Sequence, residues 1–292
     1  MTNAYTTKAA EFSQEALLQY RAGRTTPERL QPAPIPGFPA SIQLTGKIFT
    51  LCSFAEEIRI FFSSPRAPVT RTYDARLISA LPEPVQRYFR YALKEGAPYV
   101  NSARMRHTGE FRLAQNKPWT MIHGEQYFTT ETPGFVWRGV TTLLPGDAIK
   151  NDHLTVTLLN FYSAADPQCK DEELLRWLSG GVWFPTSLLP SDRIEWAAID
   201  RRQARLHFHY EHFSTSFLVN FNDAGQISRM QSEGSCGAEM RAGWIVKLSG
   251  YKKLNGIMVP TANETLWRLK SGDTSYAKIR LTALEYDTPS AF

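Results

Sequence analysis

Two periods divide the chain. Over Ala9–Tyr20 the apolar residues Ala9, Phe12, Ala16, Leu17 and Tyr20 recur at three- and four-residue steps, which predicts a short amphipathic helix ended by Gly23. A second helical stripe runs through Leu77, Ile78, Leu81, Val85, Tyr88, Phe89 and Leu93, with Pro82 and Pro84 where a helix would begin. After Gly96 the period becomes two. Arg104, Arg106 and Thr108 oppose Met105, His107 and Gly109, and then Trp119, Met121 and His123 oppose Thr120, Ile122 and Gly124.

Further strands are expected over 125–129, 135–143, 153–159, 193–198, 204–211, 213–221, 226–233, 243–252, 258–269 and 275–285. Asn222-Asp-Ala-Gly225 and Lys253-Leu-Asn-Gly256 carry hairpin chemistry between them. Alternation stops between Asp171 and Leu189, where Leu174, Leu175, Trp177 and Leu178 mark a helix that crosses or plugs the sheet. The fold class is therefore mainly β: a curved antiparallel sheet or open half-barrel with an inserted helix. A helical and irregular N-terminal extension, residues 1–76, precedes a ligand-binding domain over 77–292. Within the extension, residues 27–39 hold five prolines and Gly37, a linker or strap.

Composition narrows the class. With 292 residues, 42% of them hydrophobic, the chain can bury a large core. The net charge of +5 arises from dispersed basic residues with acids nearby, so nucleic acid is not an expected partner. Cys52, Cys169 and Cys236 are widely spaced and odd in number, giving neither a disulfide framework nor a zinc knuckle. The N-terminus lacks a basic region followed by an apolar run. Together these features lead to the expectation of a cytoplasmic protein. Ile42–Phe62 is apolar but broken by Lys47, Glu56, Glu57 and Arg59, which defeats a spanning segment. Packing on the main domain is favoured there over an interfacial membrane contact.

The candidate chemistry is sparse. His207-x-His209-x-x-His212 could present imidazoles to an ion, but His212 breaks the parity, so no metal is expected. No GxGxxG or phosphate loop is present, nor a GxSxG elbow, so no cofactor and no standard hydrolase is indicated. Glu125, Tyr127 and Arg138 fall on two adjacent strands and could form an acid–base group, or Glu125 and Arg138 a structural ion pair. Glu172 and Glu173 on the inserted helix are lesser candidates. Trp137, Trp177, Trp183, Phe184, Trp244 and Trp267 could line a cavity for a flat apolar ligand, or be core. The expected partner is a hydrophobic or aromatic small molecule. The alternative is a cofactor-independent cyclase, isomerase or rearrangement catalyst using the same cavity.

Leu81-Pro-Glu-Pro-Val-Gln-Arg-Tyr88, Arg104-Met105 with Gly109 and Phe111, Trp119, Gln126-Tyr-Phe128, Pro133-Gly-Phe-Val-Trp137, Trp183-Phe-Pro-Thr186, Asn222 with Gly225, and Pro260 with Glu264 and Trp267 jointly resemble a bacterial family of unknown function. The resemblance covers Leu81 to Asp287 and brings no catalytic residue with it. Ser179-Gly180-Gly181 replaces an expected acidic residue before the Trp-Phe-Pro motif, a change expected to widen or loosen the pocket. The strand pattern with its inserted helix also resembles the open half-barrels of lipoprotein carriers and of a violacein-pathway enzyme, in fold alone.

Overall fold

The computed structural model describes residues 54–63, 69–112, 118–143, 154–161, 170–211, 213–232, 243–269 and 272–292. The chain divides into compact units 1–33 and 34–292, and every described residue belongs to the second. The expected helix at 9–20, the proline strap, the three cysteines and His212 lie outside the described residues.

Among the described residues, thirteen strands follow one another in chain order. β1 (Ser102–Phe111), β2 (Thr120–Thr129), β3 (Gly134–Leu143) and β4 (Leu154–Phe161) form a first meander. β5 (Ile194–Ala198), β6 (Gln203–Tyr210), β7 (Phe213–Phe221), β8 (Ile227–Ser232) and β9 (Trp244–Ser249) form a second. A hairpin of β10 (Lys252–Leu254) and β11 (Ile257–Val259) interrupts it before β12 (Ala262–Leu269) and β13 (Gly272–Tyr286) return to the sheet. Eleven strands pair in the order β4-β3-β2-β1-β13-β12-β9-β8-β7-β6-β5, each antiparallel to its neighbour, in a curved sheet that stays open. The seam is β1 against β13, where Ala103 faces Tyr286.

Two expected strands are split, with one cause. The chain leaves the sheet at Gly250 (φ +66) and rejoins it after Pro260, which has no N–H for a ladder. A Cβ at Gly250 would come 2.9 Å from Thr261 Oγ1, so the two ends of the excursion touch at this glycine. Asn255 (φ +48) and Gly256 (φ +87) turn the hairpin between them, as two left-handed residues do in a tight turn. At the β7–β8 turn Asn222 Oδ1 accepts from the backbone N–H of Ala224 and of Gln226.

Among the described residues, three α-helices accompany the sheet: α1 (Phe54–Ser63), α2 (Glu83–Ala92) and α3 (Lys170–Gly180). α2 starts behind Pro82 with Pro84 in its first turn and buries Val85, Tyr88, Phe89 and Ala92. α3 and two short 3-10 turns, Gly181–Trp183 and Pro185–Leu188, carry the chain from one sheet edge, β4, to the other, β5. They plug the inner face on the way. Trp177 Nε1 donates to Thr129 O of β2 at 2.9 Å, and its ring lies 5.1 Å from Phe208 of β6. Trp183 Nε1 reaches Pro260 O at 3.1 Å, and Tyr286 of β13 donates to Trp183 O. The segment is therefore fixed to both meanders with its indole N–H groups satisfied, which removes the cost of burying them.

Ser179-Gly180-Gly181 does not loosen this region. A Cβ at Gly180 would sit 2.7 Å from the Phe128 ring, and one at Gly181 would sit 2.5 Å from Leu188. The glycines let α3 end in direct contact with the sheet, so the departure from the expected acidic residue tightens the packing.

Candidate functional site

Cross-strand register decides which expected site residues meet. On β2 and β3 the pairs Phe128–Phe135, Gln126–Trp137 and Gly124–Gly139 share the inner face, where the core lies. Tyr127–Val136 and Glu125–Arg138 share the outer face. Sequence neighbours on a strand point oppositely, so Trp137 and Arg138 cannot line one cavity. The expected convergence of Glu125, Tyr127 and Arg138 with the tryptophans is replaced by two separate groups.

The outer group is an ion-pair and aromatic cluster. Glu125 Oε2 accepts from Tyr127 OH at 2.9 Å, Glu125 Oε1 accepts from Arg106 Nε at 3.0 Å, and Arg138 Nη2 lies 3.7 Å from Oε2. Burial first, and then the Glu125 carboxylate, push the Tyr127 phenol up to about 12, against a hydrogen bond from the Phe292 backbone N–H that lowers it. The phenol stays a donor. α1 covers the cluster, with Ile58 fully buried beside Tyr127 and Val136 and with Phe54 under the Arg138 guanidinium at 3.8 Å. The apolar stretch expected over Ile42–Phe62 thus packs on the sheet along its described part. The Phe292 ring lies 4.5 Å from the Arg104 guanidinium and 4.4 Å from that of Arg106. Both carboxylate oxygens of Glu125 are engaged, and α1 and the 287–292 segment close over them.

On the inner face, Trp177, Trp183 and Phe184 are core. Trp137, Trp244 and Trp267 are only partly buried. Trp244 and Trp267 are direct cross-strand partners. Trp244 Nε1 donates to Tyr276 OH at 3.0 Å, and Trp267 stacks on Tyr276 at 5.0 Å and 12°. Three strands, β2, β1 and β13, separate Trp137 on β3 from Trp267 on β12, so the two groups are distinct.

Trp137 instead pairs with a residue that the sequence did not single out as a site. Its Nε1 donates to His107 Nε2 at 2.9 Å, and the two ring planes differ by 6°. An in-plane hydrogen bond between nearly parallel rings makes them one flat tile. The tile lies on the Gly124–Gly139 pair: a Cβ at 124 would sit 2.2 Å from His107 Cε1, and one at 139 would sit 2.4 Å from Trp137 Cη2. Two cross-strand glycines therefore give the rings their floor.

The protonation state follows from the bond. An indole nitrogen only donates, so His107 Nε2 must accept and the imidazole proton resides on Nδ1. That N–H is buried and has no hydrogen-bond partner among the described residues. Burial, followed by the nearby His123, lowers the His107 pKa to about 4. The signal in the sequence was an inner-face histidine between Met105 and Gly109, with Gly124 and Gly139 in register, and only the strand pairing makes it legible.

His207 and His209 stack at 6.4 Å and 14° on β6, one residue out of phase with the buried Leu206 and Phe208. The side chains of Glu172 and Glu173 lie outside the described residues.

Residues 71–279 match the sequence profile of a family of unknown function, DUF6544. The chain belongs to this family. No curated protein matches it in sequence. Solved structures similar to this chain include the following three. A LolA superfamily protein from Nitrosomonas europaea is 7% identical, with a TM-score of 0.33, and the match covers 69% of this chain and 91% of that one. A DUF1329 family protein from Desulfovibrio piger is 12% identical, with a TM-score of 0.34 and coverages of 66% and 88%. A domain from Vibrio parahaemolyticus, described as an outer membrane lipoprotein-sorting protein, is 8% identical, with a TM-score of 0.32 and coverages of 64% and 86%. The likeness to lipoprotein-carrier chains is one of fold. The expected cytoplasmic location is corrected here: it is not supported, and the similar structures include one described as an outer membrane lipoprotein-sorting protein domain.

Proposed function

We propose that the protein binds a hydrophobic or aromatic small molecule on the inner face of its sheet, with the His107–Trp137 tile as the flat wall. The observation that carries this reading is the tile itself: two coplanar rings laid over paired glycines, with the indole partly exposed. A flat ligand stacks on such a surface and loses little by doing so, because the wall is already ordered by its own hydrogen bond. The α3 segment fills the neighbouring part of the inner face and serves as a wall.

Native mass spectrometry of the purified protein tests the reading, with Trp137→Ala as the comparison. The expected result is a small molecule retained by the wild type and lost from the variant at matched thermal stability. No retained molecule, together with a Trp137 indole N–H resonance that naphthalene does not shift, overturns it.

A further inference from the structure

A second feature lies where the sheet is interrupted. β12 pairs with β13 only as far as Ala262–Arg280, and beyond that point β13 continues to Tyr286 without a sheet neighbour on that side. The β10–β11 hairpin stands opposite, with Asn255 Nδ2 donating to Leu284 O at 2.7 Å. Between hairpin and strand lies a cleft of about 410 Å³. Its apolar lining comes from Leu254, Leu281, Ala283 and Leu284, its neutral polar lining from Asn255, Thr261 and Thr282, and its charge from two cations, Lys252 and Arg280.

The charge in this cleft is one-sided. No acidic residue lines it among the described residues. Lys252 and Arg280 are exposed and form no ion pair with a described residue. The excess continues along the hairpin, where contact with Lys94 holds the Lys253 ammonium below the usual lysine range. Gathered cations without acids raise the local concentration of anions, while Leu281 and Leu284 give an apolar floor.

We propose that this cleft binds a small apolar carboxylate, its hydrocarbon body against Leu254, Leu281, Ala283 and Leu284 and its anionic end met by Lys252 and Arg280. The volume stands near the lower end of the roughly 300–1,000 Å³ of small-molecule sites, which fits a single chain or ring and excludes a two-chain lipid. The site is independent of the His107–Trp137 tile, although Leu281 is the cross-strand partner of His107.

Titration calorimetry with decanoate and with decan-1-ol isolates the charge, because the two probes share one hydrocarbon chain. Decanoate is expected to bind about tenfold more tightly, the equivalent of one charge-assisted contact, with the advantage shrinking at high salt. The Lys252→Gln, Arg280→Gln double variant should abolish that advantage; both side chains are exposed, so the fold is retained and a melting curve verifies it. Ala283→Phe, which fills the cleft, should abolish the decanoate advantage as the double variant does. Equal affinities, no binding by either probe, or an advantage that survives the double variant or Ala283→Phe each overturn the proposal. The tile is judged separately by its retained ligand.

Discussion

Acid is expected to attack the fold at His107. In the native state the imidazole is neutral, with a pKa lowered from 6.5 to about 4 by burial. Protonation places an N–H on Nε2, facing the Trp137 N–H, so an acceptor becomes a second donor and a charge is buried. The folded-state value is the lower one, so the unfolded chain binds more protons between the two values. Stability is full above about pH 6.5 and falls as the pH drops towards 4. A gap of about 2.5 pH units at about 1.4 kcal/mol each gives roughly 3 kcal/mol. Carboxylates titrate in the same window, so the measurement must be a difference. Urea unfolding of the wild type and of His107→Phe at pH 7 and pH 4 supplies it, since phenylalanine keeps a flat ring over Gly124 without the titration. The wild type should lose about 3 kcal/mol more than the variant between the two conditions. Equal losses, or a folded-state imidazole titrating near 6.5 by NMR, would refute the assignment.

Gly124→Ala places a methyl group into the His107 ring and should cost about 1–3 kcal/mol, with the Trp137 indole N–H resonance moving as the tile is displaced. Trp183→Ala removes a core ring and its bond to Pro260 O, and a loss of about 3–5 kcal/mol is expected in urea unfolding. Glu125→Gln weakens the Arg106 and Arg138 contacts and should cost about 1–2 kcal/mol, with faster amide exchange in α1 and at Phe292; an inner-face ligand should bind this variant unchanged.

The sequence by itself determined the local structure. Period-two alternation marked β1 and β2, Pro82 and Pro84 placed the start of α2, Asn255-Gly256 and Asn222 to Gly225 gave the turns, and the loss of alternation announced α3. These signals are local because backbone preference and side-chain period act over a few residues. Only the tertiary structure decided which face of each strand is core. Alternation groups Glu125 with Tyr127 and Gln126 with Phe128, but it does not say which set α3 will cover and which will receive α1 and Phe292. Nor does it show that β1 closes on β13, the last strand in the chain, or that a histidine on β1 will meet an indole on β3 across a glycine floor. Those contacts join residues far apart in sequence, and their energy comes from apolar area buried and donors satisfied together, quantities that exist only once the strands are in register.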